Sequence, residues 1–342
     1  MELDLASKTL FAEFQETVRS RVAIEAQFAD AKTFVCKTVK GKVYWYEQHY
    51  EDGQARQSYV GPSNKKNDKT VTDARQKLRK DKLLLKKLCA VESRQAAMLR
   101  NSGLPVLDRR MALLLRRFSE VKLIHRHGVL VGTLANMAYT GLLGVIFEKA
   151  TLMTQDIDIA RDNRIEIAAP PINIRVLFSE RGMECRDVPP FSNKSLPSSY
   201  VTSDGIRIDF LVPLRGKAKK KVIMPSVLGS GATALRFLDY LIVDPIETVL
   251  LAPSCGISVT VPRPERFAIH KLIVAAYRSA TESTKKEKDI HQAGQLITVL
   301  AADRSKELKS AYRIAVKAGR KWEKAVLVSL DLLPEVVRNL LK

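Results

Sequence analysis

The sequence predicts an α/β protein in three parts, on three observations. Between about 106 and 262, short β-branched strands alternate with short helical stretches. From 264 onward the apolar spacing is helical throughout. Before 105 stand an amphipathic helix, an alternating aromatic stretch and a long helix crowded with Lys and Arg. The parts suggested are a basic helix and β-hairpin module over 1–105, a mixed-sheet core over 106–262 and a helical domain over 263–342. A chain of 342 residues is long enough for two or three domains.

Leu10, Phe11, Phe14, Val18, Val22, Ile24 and Phe28 recur at near-helical spacing, which predicts a first helix over 6–28. FVCKTVKGKVYWYEQHY (34–50) alternates, EDG supplies a turn and QSYVGP (57–62) returns, giving a hairpin or small sheet. Its Tyr44, Trp45, Tyr46 and Tyr59, interleaved with Lys40, Lys42 and Arg56, read as a small core, with base stacking as the other reading. Residues 63–69 (SNKKNDK) read as a loop. The helix expected over 70–99 carries Arg75, Lys77, Arg79, Lys80, Lys82, Lys86 and Lys87 on its polar face. Such a face is either simply solvated or holds nucleic acid.

A further helix is expected over about 106–124, then a strand GVLVGT ending in a Gly-Thr turn and a short helix over 134–144. DIDIA (156–160) and INIRVLF (172–178) read as strands, and 199–213 as a hairpin turned at Ser203-Asp204-Gly205. RGKAKKK (215–221) reads as a basic loop. LDYLIVDP, ETVLLAP and ISVTVP, within 238–262, read as further short strands. Helices follow near 264–280, 285–302, 304–318 and 320–341.

Composition narrows the function classes. With 57 Lys and Arg against 37 Asp and Glu, the net charge is +20 and the pI about 9.8, which points to a polyanionic partner. No apolar run reaches the roughly 18 residues of a membrane span. The start MELDLA is in the wrong order for a secretory signal, so a cytoplasmic location is expected. Cys36, Cys89, Cys185 and Cys255 lie far apart, as expected of buried reduced thiols. His125 and His127 lack a third ligand at zinc spacing.

The chemistry is concentrated in carboxylates. In Asp156-Ile157-Asp158-Ile159 the two-residue strand period puts both carboxylates on one face. Asp209 projects from the polar face of a second strand, between Ile208 and Phe210. Three such carboxylates repel and raise at least one pKa unless they share a cation. Magnesium, or manganese in its place, suits an oxygen donor set completed by phosphates and water. Upstream, Gly132 permits close backbone approach, and Thr133 at a helix start can hold phosphate.

This order, a Gly-Thr turn, an acidic pair on one strand and a third acid on a later strand, resembles the DNA polymerase β-like nucleotidyltransferase superfamily. More closely, GKVYWYEQ, SYVGP, HGVLVGTLANMAY, DIDIA, DGIRIDFLVP and VPRPERFAIHKLIVAAYRSATESTKKEKDIHQAGQL resemble a bacterial family of nucleotidyltransferase-fold proteins, over nearly the whole chain. The resemblance implies transfer of a nucleoside monophosphate from an NTP to an acceptor. Asp156, Asp158 and Asp209 would be the catalytic metal-binding acids, Gly132 and Thr133 the nucleotide's turn, and Lys271 the triphosphate ligand. Arg278, Lys288 and Asp289 complete an R…KD pattern, with Arg278 on the nucleotide or, like Asp289, pinning helices. One departure is the interval of 22 residues between Thr133 and Asp156, longer than the superfamily's usual spacing. The net charge favours RNA as acceptor, gripped by Arg79, Lys82 and Lys86 among others. Toxin-like tRNA modification, protein modification and a non-catalytic binding or toxin–antitoxin role on the same fold are the alternatives.

Overall fold

The computed structural model describes residues 1–29, 32–51, 54–124, 128–148, 152, 154–162, 174–179, 184–188, 196–216, 222–223 and 230–341. Two units make up the chain: Met1–Ala12 with Ala96–Lys342, and Glu13–Gln95. The helices α1 (Leu5–Ala29) and α2 (Lys65–Asn101) each contribute residues to both. Three expectations fall outside the described residues: the turn at 52–53, the histidines 125 and 127, and most of the basic loop over 215–221.

In Glu13–Gln95, β1 (Thr33–Val39), β2 (Lys42–Glu51) and β3 (Gln54–Pro62) form an antiparallel meander. The alternating stretch over 34–50 is thus two strands, because Lys40 (φ +48°) and Gly41 (φ +74°) turn the chain in the left-handed region that tight hairpins need. The Asn64 side chain accepts from the Asn67 N–H at 2.9 Å and starts α2 at Lys65, so 65–69 are helix rather than loop. Trp45 Nε1 donates to Asp68 at 2.6 Å, and the Arg75 guanidinium lies 5.1 Å from the Trp45 ring centre, so α2 covers that face of the sheet. Strand alternation sends Tyr44 and Tyr46 to the other face, where they meet Tyr59. The expected aromatic core is corrected here: Tyr59 is 60% exposed and its neighbours are half-buried. Buried Arg21 lies 2.7 Å from buried Glu92 and 2.6 Å from Glu25.

The larger unit is built on one mixed sheet. Its strands are β4 (Val129–Val131), β5 (Asp156–Ala160), β6 (Cys185–Asp187), β7 (Ser199–Thr202), β8 (Arg207–Pro213), β9 (Val222–Ile223) and β10 (Ala232–Leu235). The path is β4-β5-β8-β10-β9, and β7 shares an edge of β8 and carries β6. β5, β8 and β10 run parallel, while β4, β7 and β9 pair antiparallel. The β7–β8 turn is the one expected, with Gly205 at φ +83° and its N–H bonded to Thr202 O at 2.9 Å. Ile157, Ile159, Ile208, Phe210 and Val212 are all at most 1% exposed, so the central strands bury their apolar rows completely.

Helices surround this sheet: α3 (Arg109–Glu120), α4 (Gly132–Leu143), α5 (Ile174–Ser179) and α6 (Leu238–Leu241). Two expected strands are corrected. Within 172–178 the described residues are helical, because buried Ile174, Leu177 and Phe178 fall at helical spacing with Val176 exposed. Leu238–Leu241 is one helical turn entered through Phe237 at φ +67°, with Leu238 and Leu241 both buried. ETVLLAP and ISVTVP do form strands, β11 (Ile246–Leu251) and β12 (Gly256–Val261), paired with each other. Then come α7 (Pro264–Ala276), α8 (Ser283–Asp303), α9 (Ser305–Lys317), α10 (Arg320–Leu330) and α11 (Glu335–Asn339), the break before α11 falling at Pro334. The cysteines are free, but Cys36 and Cys89 are exposed and Cys185 and Cys255 half-buried, which corrects the expectation of buried thiols. Cys36 lies on β1, which has no buried residue, and Cys89 on an exposed stretch of α2. Among the described residues no helix is long and apolar enough to cross a membrane.

Candidate active site

The parallel pairing of β5 with β8 sets Asp158 beside Asp209 and Asp156 beside Arg207. Because side chains alternate, the three acids share a face, with Ile157, Ile159, Ile208 and Phe210 on the other. Asp156 is exposed at the start of β5, and Asp158 sits deeper. The Asp158 carboxyl is pushed up to about 7, first by burial and then by the charges of Asp209 and Asp156; Lys271 and Arg207 pull it the other way.

β4 delivers the Gly-Thr turn to this face, since Val131 pairs with Asp158 and α4 begins at the next residue. Gly132 has φ +68°, and a Cβ there would collide with the Asp158 carboxylate, so two independent constraints require glycine. Thr133 is half-buried in the first turn of α4, whose amino end has no side-chain cap. The long interval to Asp156 is partly accounted for. α4 ends at Gly144 in the left-handed region, and residues 144–146 then pair with the amino terminus, Leu3 N–H to Gly144 O at 2.9 Å and Ile146 N–H to Met1 O at 2.8 Å.

Asp209 is held from two directions. Arg207 Nε donates to its two oxygens at 3.1 and 2.9 Å, and the Ser199 hydroxyl donates to Oδ1. Arg207 also donates from Nη2 to Ser199 at 3.2 Å, and its contact with Asp209 holds the guanidinium above its usual range. Neither Arg207 nor Ser199 is among the site residues expected from sequence. The R-I-D spacing does place Arg207 on the acid face, whereas Ser199 reaches Asp209 only through the hairpin register.

The basic residues expected at the site gather on α7, on α8 and in the connection between them, which holds Arg278. Lys271 Nζ lies 2.6 Å from Asp289 Oδ1 and 5.2 Å from the Phe267 ring centre; Arg278 Nε donates to Asp289 Oδ2 at 3.1 Å and Nη1 to Glu282 at 3.0 Å. Asp289 is almost fully buried, so it orders two cations at once. Burial and the Lys271 charge lower the Lys288 ammonium, against Asp289 and Asp156, which raise it. Lys271 thus acts on Asp158, and Lys288 on Asp156, through space. His270, next in the chain, is partly buried and pushed down to about 3, chiefly by desolvation. It stays neutral at physiological pH. Among the described residues no three His, Cys, Asp or Glu side chains converge tightly enough to hold a metal ion unaided.

An acidic pair and a third acid on adjoining parallel strands, a glycine-led helix start against them and ordered cations on the following helices define a protein of the nucleotidyltransferase class. A family model described as nucleotidyltransferase matches residues 109–317, which include every one of these elements. The chain belongs to that family and is a transferase. No curated protein and no solved structure matches it.

Proposed function

We propose that the protein transfers a nucleoside monophosphate from an NTP to a hydroxyl of RNA, with magnesium or manganese as cofactor. The observation that carries the reading is the Asp158–Asp209 register pair with Asp156 at its mouth, set against Gly132. The donor set fits a hard divalent cation. Its inner carboxyl is pushed up to about 7 by burial first and then by two neighbouring acids, and a shared cation would relieve that repulsion. Magnesium commonly takes one or two carboxylates and completes its shell with substrate phosphates and water, so no closed protein cage is needed. When bound, the ion would neutralise charge on the phosphates.

Asp156 and Asp158 would hold it there. Gly132 leaves room for phosphate beside the acids, and the uncapped N–H groups at the start of α4 can donate to it. Lys271, kept in place by Asp289, meets the triphosphate. The acceptor oxygen bonds to the α-phosphorus, the bond to the β-bridging oxygen breaks, pyrophosphate leaves, and Asp209 draws off the acceptor's proton. Positioning and charge neutralisation would supply most of the rate. RNA is favoured by the charge of +20 and by α2, where Arg79, Lys82 and Lys86 are exposed along one face.

Incubation with each α-labelled NTP, divalent metal and total RNA, followed by a denaturing gel, tests the reading. Label on RNA is expected with at least one nucleotide. Label on protein alone would move the acceptor to another class, and no transfer to any acceptor would overturn the proposal.

A further inference from the structure

The meander of Glu13–Gln95 covers one of its faces with α2, while on the other Lys37, Val39, Lys42 and Tyr59 are exposed. Paired residues in an antiparallel ladder share a face, so the registers Lys37 with Tyr44, Lys42 with Val39 and Tyr46 with Tyr59 place three tyrosines and two lysines together on that open side. Tyr59 stands between the others, its ring centre 6.0 Å from that of Tyr44 and 5.6 Å from that of Tyr46. The Lys37 ammonium lies 5.0 Å from the Tyr46 ring centre. Among the described residues this face carries no carboxylate; Glu47 lies on the opposite side, beside Lys32.

A row of tyrosines 60% exposed at its centre contributes little to an interior. Aromatic faces flanked by cations, with no opposing charge, are complementary to unpaired bases strung on a phosphate backbone. Bases inside a duplex are stacked on one another and closed to such a surface. We propose that the open face of the β1–β2–β3 sheet is a stacking platform for single-stranded RNA, with Tyr44, Tyr46 and Tyr59 taking bases and Lys37 and Lys42 the backbone. The proposal rests on RNA as the acceptor and deepens it, because it specifies that the acceptor RNA carries an unpaired segment.

The test uses the full chain and a 12-nucleotide RNA carrying 2-aminopurine, with a duplex of the same length and a single-stranded DNA as comparisons. Wild-type protein should bind single strands more tightly than duplex and quench the base analogue on binding. Tyr59→Ala and Tyr46→Ala should each weaken single-strand binding about tenfold and abolish most quenching. Tyr59→Phe should restore both, which a general loss of folding would not allow. If the alanine variants bind and quench as wild type does, the platform is wrong while RNA as acceptor stands. If wild-type protein binds duplex RNA but not single strands, or DNA but not RNA, the platform likewise falls. If it binds no RNA at about 100 mM salt, where basic grooves still hold backbone, the platform and the acceptor assignment fall together.

Discussion

The two main sheets of this chain, one rich in aromatic and polar residues and one in Ile and Val, live in opposite surroundings. The sheet of the larger unit buries its apolar rows fully, and the continuous hydrophobic core runs from Leu107 to Leu341 without a residue from Glu13–Gln95. The β1–β2–β3 sheet has one covered face, and β1 has no buried residue. The family match, 109–317, takes in the first sheet and none of the second. Depth is what makes carboxylates costly in one place; openness is what leaves tyrosines and lysines available in the other.

The most severe way to break the comparison is to remove charge from the buried site. Asp156→Asn or Asp158→Asn should abolish label transfer, with a loss beyond about a thousandfold, the order seen when a single preorganised electrostatic group is removed. Stability should move the other way. The Asp158 carboxyl is raised from about 3.8 to about 7, so the folded state binds its proton more tightly than the unfolded chain does. The group costs nothing near pH 4, and its penalty grows to something on the order of 4 kcal/mol above pH 7. Asp158→Asn should therefore melt higher than wild type at pH 8 and together with it near pH 4. His270, lowered to about 3, has the opposite slope, because the unfolded chain protonates first as pH falls below about 6.5. In the Asn variant that acid-side loss should stand unopposed in melting curves.

The next largest effect belongs to the smaller unit, whose interior relies on ions. Glu92→Ala takes from buried Arg21 the carboxylate 2.7 Å from its Nε, while Glu25 stays at 2.6 Å, and should cost about 3 kcal/mol. Hydrogen exchange should quicken within Glu13–Gln95 and remain slow in the core strands; uniform loss across both units would mean that they share one cooperative transition.

Lys271→Ala should weaken NTP binding by about 1.5–3 kcal/mol, the range for hydrogen bonds to charged groups. Unaltered NTP affinity with a lower melting temperature would instead make the Lys271–Asp289 pair a helix clasp. Smallest in energy is the backbone contact on α2. Replacing Arg79, Lys82 and Lys86 together by Gln should flatten the salt dependence of RNA binding by about one unit per lost phosphate contact and leave NTP binding intact.

Much of the acid site was legible because period-two alternation is unambiguous in DIDIA and RIDFL, where every second residue is apolar and becomes buried. Gly132 was legible as a close approach, though not the residue it approaches. The short helices were harder. Ile174, Val176 and Phe178 alternate as a strand would, and only the burial of Leu177 with exposure of Val176 shows the other period. The tyrosines misled because Lys40-Gly41 was not recognised as a turn, and without it the partners of Tyr44 and Tyr46 were unknown. The R…KD pattern groups Asp289 with Arg278 and allows a helix pin, but it gives no signal that Asp289 also holds Lys271, 18 residues away.

The near-neutral carboxyl at Asp158 makes this site a proton ledger as well as a charge cluster. Near pH 7 the protonated and ionised forms of this carboxyl compete. Under the proposed reading a cation arriving with its nucleotide would displace that proton, so binding near pH 7 would release part of a proton per molecule and tighten as the solution becomes more alkaline. Measured heats of binding would then depend on the buffer that takes up the proton, and affinities compared between laboratories would disagree until pH is matched.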